Sequence, residues 1–159
     1  MEEQKKIPTP QASSLSEARL QRQIILPNDV QEVPRMAEFV EMVCEEAGVD
    51  MATTMQLNLA IEEAVVNVMN YAYPAGTQGD VSLAACAEGD TLTFVLSDSG
   101  TPFDPTAKED ADTSLSAEDR PIGGLGIFLV KQLMDTVTYQ RKEGKNVLTL
   151  TKKLAGIPL

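Results

Sequence analysis

Apolar residues at Val33, Met36, Phe39, Val40, Val43 and Ala47 recur every three to four positions, which predicts a helix over 33–47 stopped by Gly48. Asp50 then offers an N-cap for a long helix over about 51–72, ended by Tyr73-Pro74-Ala75-Gly76. The core stripe of that second helix is Leu57, Ile61, Ala64, Val65, Val68 and Ala72. Elsewhere the period drops to two. Val81, Leu83 and Ala85 alternate with Ser82 and Ala84, and Leu92, Phe94 and Leu96 alternate with Thr91, Thr93 and Val95. A three-residue turn at Glu88-Gly89-Asp90 joins these runs as an antiparallel hairpin. Gln21–Leu26 predicts a short strand before Pro27-Asn28-Asp29. A third helix follows Gly123–Gly126 to about Met134. Strands over Thr136–Arg141 and Asn146–Lys152 flank a turn at Glu143-Gly144-Lys145. Residues 1–20 are polar, with prolines at 8 and 10, and read as a flexible extension; residues 104–121 have no periodicity.

The order β-α-α-β-β-spacer-α-β-β predicts an α/β (α+β) sandwich of two layers. Its sheet is mixed and mostly antiparallel, with one face covered by three helices. Strands and helices do not alternate, so the sheet is not doubly wound. A chain of 159 residues is one domain's worth, placed at 21–159. No apolar run approaches the roughly 20 residues that span a bilayer. The N-terminal MEEQKKIPTPQASS lacks an apolar signal region, so a cytoplasmic, membrane-free protein is expected. Net charge is −11, from 13 basic and 24 acidic residues, and such a field repels nucleic-acid backbones. The absence of histidine removes His-based triads, His-ligated zinc and phosphohistidine chemistry from this chain. Cys44 and Cys86 fit no CxxC pattern and read as two buried thiols.

Three stretches could carry chemistry. In MQLNLAIEEAVVNVMNYAYP, Glu63, Asn67 and Asn70 share one stripe of the long helix, while Glu62 points elsewhere. Such a stripe reads either as a solvated face or as a carboxylate base beside an amide oxygen ligand for Mg²⁺. In DSGTPFDP, Asp98 ends a strand and Gly100 permits a sharp turn and a close approach. That is either an ordinary turn or a carboxylate able to bind an exocyclic amine. In IGGLGIFLVKQLMD, glycines open an apolar helix, either as a bare helix start or as an anion site made of backbone N–H groups. There is no GK[ST] pattern, so it is not a P-loop.

Taken in this order, EEAVVNVMNYAYP, DSGTPFDP and GGLGIFLVKQLMD resemble the GHKL, or Bergerat-fold, ATPases across residues 21–154. Within them the chain looks most similar to the bacterial anti-sigma-factor serine/threonine kinases. The resemblance implies ATP and Mg²⁺ as cofactors. It makes Glu63 the general base, Asn67 the Mg²⁺ ligand and Asp98 the reader of the adenine amino group, with Gly100 shaping that pocket. Gly124 and Gly126 would present N–H groups to the phosphates. Phe103, Arg120, Gly123 and Leu125 complete the implied nucleotide-binding set, and residues 104–122 would be the ATP lid. The implied partners are an antagonist (anti-anti-sigma-like) protein that is phosphorylated and a sigma factor that is sequestered, with room for a homodimer.

Three features depart from the family. Asn70 stands where many relatives carry histidine or arginine. The family's Gly-Thr before the last strand is here Gly144-Lys145-Asn146, with Thr149 as a stand-in further along. The lid carries Glu109, Asp110, Asp112, Glu118 and Asp119 against Lys108 and Arg120, an unfavourable balance over a triphosphate unless the acids face solvent. Two functions follow: a kinase, favoured by Glu63, and a non-catalytic module whose nucleotide state controls docking, favoured by the acidic lid.

Overall fold

A computed structural model of the protein describes residues 19–107 and 124–154. Five strands, β1 (Leu20–Pro27), β2 (Asp80–Glu88), β3 (Thr91–Asp98), β4 (Thr136–Lys142) and β5 (Lys145–Lys153), form one sheet in the order β1-β2-β3-β5-β4. Among the described residues all four ladders are antiparallel. Three helices, α1 (Val33–Ala47), α2 (Met51–Tyr71) and α3 (Gly124–Leu133), complete the two layers.

The register shows why one face is buried. Leu26, Val81, Leu83, Leu92, Phe94, Leu96, Leu148 and Leu150 all lie on the helix-covered side and are essentially inaccessible to solvent. Period-two alternation places their neighbours Ser82, Ala84, Cys86, Thr93, Val95 and Thr149 on the opposite face, where they are half-buried. Cys86 therefore belongs to the open sheet face, whereas Cys44 is buried as expected; both thiols are free.

Both hairpin turns are one residue shorter than their sequences suggest. Glu88 pairs with Thr91 and Lys142 with Lys145, leaving two-residue loops. At Glu143-Gly144 both residues have positive φ, 55° and 79°, as a type I′ loop requires to match the twist of its strands.

The helix ends follow their local chemistry. Gly48 adopts φ 80° and closes α1 with Gly48 N–H donating to Glu45 O and Val49 N–H to Cys44 O. Asp50 caps α2, its carboxylate accepting from the Thr53 N–H at 2.7 Å. The sequence-derived stripe of α2 is buried throughout. Among the described residues no helix is long and apolar enough to cross a membrane.

Candidate functional site

Asp98 ends β3 on the helix-covered face and is buried. Its Oδ1 accepts from Gly100 N–H at 2.8 Å and from Asn146 Nδ2 at 2.9 Å. Its Oδ2 is buried and accepts from no donor among the described residues. A buried carboxylate oxygen left without a donor costs free energy unless a ligand supplies one. One oxygen is thus fixed by the protein and the other is free to receive an N–H.

Asn146 fixes that arrangement, and it was not singled out in the sequence. It starts the buried parity of β5 directly opposite Asp98. Its Nδ2 donates to Asp98 Oδ1 and, at 2.8 Å, to Thr101 O, while its Oδ1 accepts from Phe103 N–H at 3.0 Å and from the Tyr139 hydroxyl. All four of its hydrogen-bonding positions are occupied. The signal was available: Asn146 is the polar member of a run whose next buried positions are Leu148 and Leu150. Thr149 cannot substitute for it, because odd-numbered positions of β5 face the open side of the sheet. Arg141, beside Asn146 on β4, donates from Nη1 to Gly100 O at 2.9 Å and holds the same turn from outside.

Gly100 does make a close approach, but to the protein itself. A Cβ at this position would stand 2.4 Å from the Ala72 carbonyl oxygen, which already accepts from Thr101 N–H and Oγ1. The turn after β3 is thereby clamped to the C-terminal end of α2. Tyr73 adds a second clamp, its hydroxyl donating to Asp80 O at 2.8 Å and accepting from Ser99 N–H at 3.1 Å. Burial above all pushes the Tyr73 phenol pKa up, with the charges of Asp98 and Asp80 adding to the rise. Phe103 packs its ring against Tyr71, with centroids 5.8 Å apart.

The α2 stripe resolves into different environments. Asn67 is buried, Glu63 is half-buried and Asn70 is exposed, so Asn70 does not join the other two. Gly126 of α3 faces this pair: a Cβ there would lie 2.6 Å from Glu63 Oε1 and 3.5 Å from Asn67 Nδ2. Both described glycines of the motif, Gly124 and Gly126, lie within α3 rather than before it, and at Gly126 the missing side chain leaves room for the Glu63 carboxylate. Gly124 and Leu125 open the described part of α3. Gly123, Lys108 and Arg120 lie outside the described residues, as does most of the expected lid. The lid's first residues, 104–107, form a capped turn in which Asp104 Oδ1 accepts from Thr106 N–H and Oγ1.

Two clusters result, Glu63–Asn67–Gly126 and Asp98–Gly100–Asn146, joined by α2. From Glu63 to Ala72 that helix rises about 14 Å. Among the described residues no group of three or more His, Cys, Asp or Glu could hold a metal ion.

Residues 26–152 match the family described as the histidine kinase-like ATPase domain. The chain is 30% identical to a serine-protein kinase RsbW from Listeria monocytogenes over 128 residues, 74% of this chain and 82% of that protein. It is 32% identical to a serine-protein kinase RsbW from Halalkalibacterium halodurans over 133 residues, 77% of this chain and 80% of that protein. The solved structure of the RsbU and RsbW domains of a Mycobacterium tuberculosis protein superposes with a TM-score of 0.61 at 18% identity, covering 85% of this chain and 32% of that longer one. With the five-stranded antiparallel sheet, three helices and the motif order, these similarities make the chain a member of the histidine kinase-like (GHKL) ATPase family, in its anti-sigma-factor serine-protein kinase branch.

Proposed function

We propose that residues 21–159 form a single ATP-dependent serine/threonine protein kinase domain that phosphorylates an antagonist protein and thereby switches a sigma factor between partners in the cytosol. The observation that carries this is the buried Oδ2 of Asp98, held in place by Asn146 and without a donor among the described residues. An adenine amino group supplies the missing N–H. Guanine presents a carbonyl at the corresponding position, which would meet a carboxylate oxygen and leave both without a donor.

The rise of α2 suits an extended nucleoside triphosphate, with the base at Asp98 and the terminal phosphate near Glu63 and Gly126. Asn67 has the oxygen donor that Mg²⁺ accepts, and Mg²⁺ is commonly held by few protein ligands together with substrate phosphates. When bound, the metal would neutralise phosphate charge. Glu63, next to Asn67 on the same stripe, would take the proton of the acceptor hydroxyl. Gly124 and Gly126 would offer N–H groups to the phosphates, with Arg120, Gly123 and Leu125 beside them and Phe103 lining the base pocket with Tyr71.

The antagonist protein and the sigma factor are the partners of this reading. A second copy is a third, supported by the open sheet face, where Ala84, Cys86, Thr93 and Val95 form a small, largely apolar patch beside Gln21, Arg22 and Gln23 in a chain of net charge −11.

Pull-down from the native cytosol with ATP and with ADP, followed by phosphosite mapping, tests the proposal. Glu63→Gln should keep nucleotide affinity and slow phosphorylation of the captured protein by about a hundredfold to ten-thousandfold, the range of general-base catalysis. A wild type that binds ATP and phosphorylates nothing it captures would move the assignment to the non-catalytic docking module.

A further inference from the structure

A groove of about 800 Å³ runs between α1 and α2, away from the residues of the candidate site. One wall is a stripe at i, i+4 and i+8 of α2, formed by Met51, Met55 and Leu59. These side chains are 76%, 67% and 45% exposed, in a protein whose core has taken in nearly every other large apolar residue of α2. The other wall belongs to α1 and is acidic, with Glu41 and Glu45 one turn apart; Glu62 closes the end of the α2 wall. Among the described residues no lysine or arginine lines the groove.

At the floor, Asn58 Nδ2 donates to Ala37 O at 3.3 Å and ties the two helices together. Asn58 Oδ1 is a buried acceptor with no donor among the described residues. An apolar stripe of this spacing, faced by acids on the α1 wall and closed by one at its end, is complementary to an amphipathic helix with an apolar face and a basic flank. Methionine walls also suit such a ligand, because unbranched thioether side chains repack around different apolar shapes. A second copy of this chain is a poor occupant, since it would bring acidic residues to acidic walls.

We infer that the α1/α2 groove is a docking site for a short, basic amphipathic helix of a partner protein. The groove spans about 16 Å from Met51 to Glu62, which is about 11 helical residues. Docking here requires neither nucleotide nor Glu63, so it stands independently of the kinase assignment.

The test uses three synthetic peptides of about 14 residues: leucine at helical i, i+3, i+4 spacing with lysine elsewhere, the same composition scrambled, and the patterned peptide with glutamate for lysine. Amide and methionine-methyl NMR shifts are followed on the full chain. The patterned leucine–lysine peptide should shift Met51, Met55 and their neighbours on α1 and α2, and bind at least about tenfold more tightly than either control, the difference that hot-spot apolar contacts typically supply. Met55→Lys and the double variant Glu41→Lys/Glu45→Lys should each weaken that binding about tenfold while leaving the rest of the spectrum unchanged. Absence of binding at millimolar peptide, equal affinity for the scrambled peptide, or shifts centred elsewhere would overturn the inference. A concentration-dependent mass increase lost in Met55→Lys would overturn the choice of occupant, because this face would then join two copies.

Discussion

Asn146 shows how a polar residue becomes structural by where the strand register sets it down. The Gly-Thr that the family carries before the last strand is absent, yet the position opposite Asp98 is filled by a side chain using two donors and two acceptors at once. The nearness of Glu63 to Asn67 on one helical stripe, and of Asp98 to Gly100 at one turn, was legible from spacing within a single motif. Asn146 was not, because its role depends on which residue lies across the ladder. Asn146→Ala should lower stability by about 1–3 kcal/mol, since it leaves buried groups at Phe103 and Thr101 unpaired. It should also reduce the preference for ATP over GTP by freeing the Asp98 carboxylate to turn. Thermal melting and paired nucleotide titrations check both effects, and an unchanged nucleotide preference would confine Asn146 to a role in folding.

The elements were legible wherever one period held over a full helix or strand. α1 falls at 33–47 as its spacing requires, and the core stripe of α2 is buried residue for residue. The tight turns were less legible, because a loop's length follows strand twist and register rather than composition; both hairpins close over two residues. The open sheet face was also hidden, since Ala84, Cys86 and Val95 are apolar enough to pass for core. Tyr73 joins elements that the pattern treats separately, tying the end of α2 to β2 and to the turn after β3. Its phenol pKa is raised by burial, above the unfolded value of about 10. The folded state therefore favours the protonated phenol. The resulting stability is fully present below the unfolded pKa and is lost as pH rises through the folded one. Denaturant unfolding across pH 9 to 11 should show an alkaline loss in the wild type that is smaller in Tyr73→Phe. Equal losses in both would remove Tyr73 as the source.

At the scale of the molecule, one helix organises the chemistry. α2 holds Glu63 and Asn67 at its middle, receives Gly126 against them, and anchors the Asp98 turn at its end through Ala72. Its outer face bears the Met51–Met55–Leu59 stripe, so the proposed base, the proposed metal ligand and the proposed docking wall share one helix. The other side of the molecule is the open sheet face, with its patch of Ala84, Cys86, Thr93 and Val95. Copies carrying a charge of −11 repel at low salt, so self-association through that face should strengthen as salt rises, and Val95→Glu should abolish it. Sedimentation equilibrium decides this, and a monomer at every ionic strength would exclude the homodimer. The central claim is that Asp98 receives the adenine of ATP, and calorimetric titration of the wild type and Asp98→Asn with Mg-ATP tests it most directly. The wild type should bind, and Asp98→Asn should bind more weakly by about 1–3 kcal/mol, the scale of a lost charge-assisted hydrogen bond. No heat at protein concentrations well above micromolar, or equal affinity in the two proteins, would contradict it.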